Sequence, residues 1–87
     1  MSCRGGSTAT FQCMNMPFAM LNCPVIGSQY WNVAFGRAEG ECEKDAEGMQ
    51  TLRTLARNMA WAVKNLRRPD AVPRPADEPW QPMRFIR

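Results

Sequence analysis

The stretch from Asp45 to Leu66 constrains the fold more than any other part of the chain. Met49, Leu52, Ala56, Met59, Ala60, Val63 and Leu66 recur at the period of an α-helix and form one continuous apolar stripe. Glu43, Asp45 and Glu47 stand at the start of this stretch, and Lys64, Arg67 and Arg68 at its end. Both sets of charge complement a helix dipole. Pro69 then stops the helix. The stripe reads as core rather than as a cofactor-lining face. Trp61 falls among Gln50, Thr54, Arg57 and Arg68, away from the stripe. It is either an isolated exposed aromatic or an anchor for a subunit interface, where tryptophan is enriched.

The elements before this helix are weaker. Residues 1–7 read as a small, Gly-rich loop. Thr8 to about Leu21 reads as a helix, with Phe11, Met14, Phe18 and Leu21 on one apolar face. Ser7 or Thr8 is placed to cap it. Pro17 removes the hydrogen bond to the Cys13 carbonyl and should kink or shorten it. Cys23-Pro24-Val25-Ile26-Gly27 is a short apolar run closed by glycine, which is consistent with a buried strand. Residues 28–44 form a long connection, of a length that is usually functional in a compact domain. Beyond the main helix, residues 69–87 carry Pro69, Pro73, Pro75, Pro79 and Pro82. This arm should be extended and should lie on its own protein or on a neighbouring subunit, through Trp80, Met83, Phe85 and Ile86. The expected division is therefore 1–68 as one folded unit and 69–87 as a Pro-rich tail.

Composition narrows the function. At 87 residues one domain is expected, and it would be marginal alone. The net charge of +3 is modest, and the basic residues form no block with interleaved aromatics, which argues against nucleic acid. No apolar run is long enough to span a bilayer. No hydrophobic run follows the first charge, which argues against a secretory signal and for the cytoplasm. The four cysteines, Cys3, Cys13, Cys23 and Cys42, stand singly. Neither zinc nor iron–sulfur spacing is present, so they read as free thiols packed like small hydrophobes. With no histidine in the chain, Ser-His-Asp and Cys-His catalysis within it are excluded.

The order loop, helix, strand, loop, helix fits a portion of an α/β protein with a parallel sheet. Ligands in such sheets bind beyond the carboxyl ends of the strands. Two loops would lie at that edge. Arg4-Gly5-Gly6-Ser7 precedes the first helix, where glycines permit close backbone approach and exposed amides favour an electron-rich group. Ser28-Gln29-Tyr30-Trp31-Asn32 follows the strand and brings two aromatics with faces suited to a planar ligand. Each loop also has an ordinary reading, as a tight turn and as aromatics filling a sheet edge. Glu41, Glu43, Asp45 and Glu47 lack the spacing of a cation site and read as a solvated helix start.

Taken together, four segments resemble the flavodoxin-like NAD(P)H-dependent FMN reductases. They are Arg4–Phe11, Pro24–Asn32, Asp45–Trp61 and the terminal Phe85-Ile86-Arg87. In order along the chain they are similar to that family's flavin-side loop and helix, last strand and loop, C-terminal helix and terminus. The resemblance implies a partial three-layer α/β/α flavodoxin-like fold and an FMN-dependent oxidoreductase. NAD(P)H would supply the electrons and a small acceptor would take them. It also implies a homo-oligomer and no membrane. Arg4, Gly5, Gly6 and Ser7 match the loop near the isoalloxazine, and Tyr30 and Trp31 match the loop beside the flavin or an adjoining subunit. No catalytic residue and no metal ligand is implied. Only the family's C-terminal half is matched, without the Gly/Ser-rich loop that cradles the FMN phosphate. The alternative is a non-enzymatic module that assembles through the 45–66 helix and the tail.

Overall fold

The computed structural model describes residues 6–83. Helix α1 spans Ser7–Met20 and helix α2 spans Ala46–Leu66, with a short 3-10 turn at Glu41–Lys44 between them. There is no β-strand among the described residues, so the expected α/β architecture is overturned. The run Cys23–Gly27 has no regular secondary structure and joins no strand ladder, and Val25 is exposed. The physical reason lies in the run itself. A strand must find a neighbour for its backbone groups, and Pro24 has no N–H to offer one. So short an apolar run does not distinguish strand from coil by periodicity.

Local determinants make α2. Asp45 is its N-cap, and its carboxylate accepts from the Gly48 N–H at 3.0 Å. The other carboxylate oxygen accepts from the Phe35 N–H at 2.8 Å, so one side chain starts the helix and anchors the preceding loop. Gly48 permits this contact. A Cβ there would stand 2.5 Å from Asp45 Oδ2 and 2.8 Å from Ala34 Cα. Further along, Asn58 donates to the Gly27 carbonyl at 2.9 Å, and the Thr54 hydroxyl donates to the Gln29 side chain at 3.0 Å. That segment is therefore held by polar side chains of α2 in place of a sheet.

α1 matches its expected range, but its details differ. Its N-cap is Gly6, and neither Ser7 nor Thr8 caps it; instead the Thr10 hydroxyl bonds back to the Gly6 carbonyl at 2.9 Å. Pro17 lies inside the helix without ending it. The end comes at Asn22, whose φ of 55° is left-handed. The Asn22 N–H reaches the Ala19 carbonyl at 3.2 Å and the Cys23 N–H reaches Phe18 at 2.8 Å. That pair of bonds is a Schellman closure, with asparagine in the usual glycine position. None of α1's residues is buried, and Met14, Phe18 and Leu21 from its expected core face are exposed.

The described chain is open. Its radius of gyration is 17.9 Å, where a compact chain of this length would have about 12 Å. Its extents are 52 × 44 × 18 Å, and the thin dimension is under two helix diameters of roughly 10–12 Å. Ala62 is the only buried apolar side chain among the described residues, and the largest fully buried side chain is Thr51. The face of α2 that is covered carries Gly48, Thr51, Leu55, Asn58 and Ala62. It is rotated by roughly 80–100° from the expected stripe at about 100° per residue. The stripe itself is left largely uncovered: Leu52, Met59, Val63 and Leu66 are all exposed and Met49 is half-buried. The expectation that it forms the core is corrected accordingly. Trp61 is also exposed.

The tail from Pro69 to Met83 has no regular structure beyond a turn after α2. It touches α1 through polar groups. Asn22 donates to Asp77 at 3.0 Å, and the Arg74 guanidinium donates to the Asn22 carbonyl. Trp80 and Met83, expected to make its contacts, are exposed. Phe85 and Ile86 lie outside the described residues.

Candidate functional site

Ser7, Thr10, Phe11 and Met14 of α1 face the stretch 32–42 across an open cleft of about 1710 Å³. A second hollow of about 130 Å³ lies between Thr8, Phe11, Gln12, Trp31 and Val33. Small-molecule sites typically enclose about 300–1,000 Å³. The first space is larger than that and open, and the second is too small for a tricyclic ring.

The loop that walls the cleft is closed by its own groups. Glu41 accepts from the Arg37 N–H at 2.6 Å and from the Ala38 N–H at 2.8 Å. Those two backbone donors hold its carboxyl below the usual range. Gly36 lies so close to Cys42 that a Cβ would stand 2.6 Å from the Cys42 nitrogen. The two amide donors of this turn, those of Arg37 and Ala38, are thus taken by Glu41. Cys13, Cys23 and Cys42 are free and exposed rather than packed as small hydrophobes.

The sequence-expected site residues are partly brought together. Arg4 and Gly5 lie outside the described residues. Gly6 caps α1 and Ser7 opens it, lining the large cleft. Tyr30 and Trp31 stack on each other, with ring centroids 5.8 Å apart and planes 19° apart. They are 64% and 55% exposed, which leaves aromatic surface free. The Ser28 hydroxyl donates to the Tyr30 carbonyl at 2.8 Å and also bonds the Asn32 side chain, which holds the turn that presents them. Trp31 reaches the first two turns of α1, whereas Tyr30 lines neither cavity. Sequence reading missed Asp45 as the joint between loop and helix. An aspartate directly before the apolar-periodic residues carried the cap half of that signal, and nothing in the sequence marked Phe35 as its second partner.

What these residues offer a planar ring is exposed aromatic surface, without a cavity of matching size. The stacked aromatics offer a face to a flavin ring. The cleft offers a phosphate no excess of positive charge: among its charged lining residues Arg37 is outnumbered by Glu39 and Glu41. No protein-family model, curated protein or solved structure matches the chain. No described helix is long and apolar enough to cross a membrane.

Proposed function

We propose that this chain contributes the ring-side wall of an FMN-dependent NAD(P)H oxidoreductase, and that other residues complete the site. The observation that carries the reading is the exposed Tyr30–Trp31 stack, whose Trp31 shares a hollow with Thr8, Phe11 and Gln12 of α1. Its supports are the resemblance of the Arg4–Ser7 and Tyr30–Trp31 segments and the absence of any side-chain cap on α1, which leaves first-turn amides available to an electron-rich ring edge. Bound flavin would supply the two-electron chemistry between NAD(P)H and a small acceptor. The protein's share is to hold and orient the ring. The cytoplasm is the compartment that suits its free cysteines.

The test compares FMN with lumiflavin, which has the ring without the phosphate. Titrated into the purified chain, both should lose fluorescence saturably and with equal affinity, and Tyr30→Ala/Trp31→Ala should abolish the effect. Absence of saturable quenching by either ligand overturns the reading.

A second reading is favoured by a different observation, the uncovered stripe of α2. On that reading the chain is an assembly module, and burial of Leu52, Met59, Val63 and Leu66 against another chain is its purpose.

A further inference from the structure

We infer that α2 pairs with α2 of a second copy of this chain, antiparallel, through a coiled-coil seam. The inference rests on the assembly reading above and names the partner. Within the broad apolar stripe, Met49, Leu52, Ala56, Met59, Val63 and Leu66 are spaced alternately by three and four residues. That is the a/d heptad pattern of a helix that packs against another helix. All of these residues except Met49 are exposed, and no described element lies across them. The flank of α2 that is occupied, by the chain's own 27–35 segment, lies beside the seam.

Two features select a second copy and its direction. First, the spacing reads the same from either end. If Met49 meets Leu66 of the second copy, Leu52 meets Val63 and Ala56 meets Met59, so every layer pairs a seam residue with a seam residue. Ala56, at the centre, allows close approach of the two axes. A two-fold axis through the middle of the helix generates this arrangement, as a self-complementary dimer requires. Second, the charges are segregated along α2. Asp45 caps its N-terminal end and Glu47 lies in its first turn, Lys64 lies in its last turn, and Arg67 and Arg68 follow directly. An antiparallel pair sets acidic end beside basic end, whereas a parallel pair would set like beside like. The residues flanking the seam on its open side are Ala46, Arg53, Ala60 and Arg67. In the antiparallel register each arginine faces an alanine of the second copy, Arg53 opposite Ala60 and Arg67 opposite Ala46. No like charges meet there.

Sedimentation velocity of the full chain over a concentration series tests this, with far-UV circular dichroism to confirm that each variant keeps its helix. The unaltered chain should dimerise reversibly. Leu52→Asp removes two seam leucines from the pair and should weaken it by more than about a hundredfold. Ala60→Glu places an acid opposite Arg53 of the second copy, twice per dimer, and should tighten it by roughly two- to thirtyfold. Arg53→Ala in that background should cancel the gain. A monomer at every concentration overturns the proposal, and so does a dimer indifferent to Leu52→Asp. A dimer that Leu52→Asp breaks but Ala60→Glu does not tighten overturns the antiparallel arrangement. Flavin titration of the same samples separates these failures from that of the oxidoreductase reading, because the Tyr30–Trp31 stack takes no part in the seam.

Discussion

The two helices are regular for opposite reasons. α2 carries its own instructions: an aspartate cap, acid in the first turn, base in the last, and one apolar face. α1 has none of these, with no side-chain cap, no charge at either end, an internal proline and apolar residues on all sides. Its definition comes from its C-terminal end, where Asn22 closes the last turn and takes the contacts from Arg74 and Asp77. A helix of the first kind forms wherever its stripe finds a partner. A helix of the second kind depends on being surrounded, and among the described residues no other helix packs on it.

The comparison breaks most sharply at proline. Arg57 is exposed on the outer face of α2, away from the seam. Arg57→Pro should cost the helix about 3 kcal/mol or more, by deleting one backbone bond and clashing with the turn before it. Most of the signal at 222 nm should go with it. Pro17→Ala in α1 is the reverse experiment. It restores a donor to the Cys13 carbonyl and lifts a propensity penalty of about 3 kcal/mol, so helical signal should rise. If Pro17→Ala leaves the spectrum unchanged, α1 is held by its surroundings after all and the contrast fails.

That contrast also explains what the sequence disclosed. The range of α2 was legible because dipole charges, periodicity and stop signal agree. The range of α1 was legible from Phe11, Met14 and Phe18, but its ends were not. Gly6 displaced Ser7 and Thr8 as cap, and the helix runs through Pro17, expected to kink or shorten it, to close at Asn22. The strand at 23–27 was illegible because pairing belongs to two segments, and periodicity in one cannot supply the other. The stripe's composition was readable, but its burial was not. Side chains from the polar flank, Thr54 and Asn58, draw the 27–29 segment to one side and leave the stripe open. Of the candidate site, the two loops were set at one edge on the strength of an α/β order that the described chain does not have; Trp31 shares a hollow with the first turns of α1, and Tyr30 stacks on its neighbour.

Packing against the flank of α2 is sharpened by a pair of glycines. Gly48→Val drives side-chain atoms into Asp45 and Ala34. Overpacking of this kind costs about 1–3 kcal/mol, and here it should release the 33–35 loop together with the helix cap. Gly27 has nothing within 4 Å of where a Cβ would stand. Gly27→Ala should be harmless or stabilise by up to about 1 kcal/mol through the unfolded chain. Chemical denaturation of both variants checks the difference, and equal effects would mean that the loop does not press on α2.

At the end of α1, Asn22 has two separable roles. Asn22→Ala must hold a left-handed backbone at a cost of about 1–2 kcal/mol. Asn22→Gly keeps that conformation easily and loses only the bond to Asp77. Hydrogen exchange at the Cys23 amide should therefore accelerate in the alanine variant and stay slow in the glycine variant. Acceleration in both would make the tail contact, rather than the closure, what ends the helix.

The mildest perturbation is protonation, and it distinguishes the start of α2 from the loop before it. Asp45 is held below its ordinary value of 3.8, first by the Gly48 N–H and then by the Phe35 N–H. Glu41 is held below 4.5 by the Ala38 and Arg37 amides. A carboxyl whose folded value is depressed contributes fully above its unfolded value, and the contribution is lost as pH falls through the folded one. Acid should therefore loosen the 37–41 turn as pH drops below 4.5, and the Asp45 joint as it drops below 3.8. Asp45→Asn separates the joint's two functions. Asparagine is as good an N-cap as aspartate, but its single oxygen cannot serve Gly48 and Phe35 together. The variant should keep the far-UV signal of α2 at neutral pH and lose its acid dependence. Exchange at the Phe35 amide should already be fast. If that amide stays protected, the loop is held to α2 by Gly48 and Ala34 packing alone, and Asp45 is only a cap.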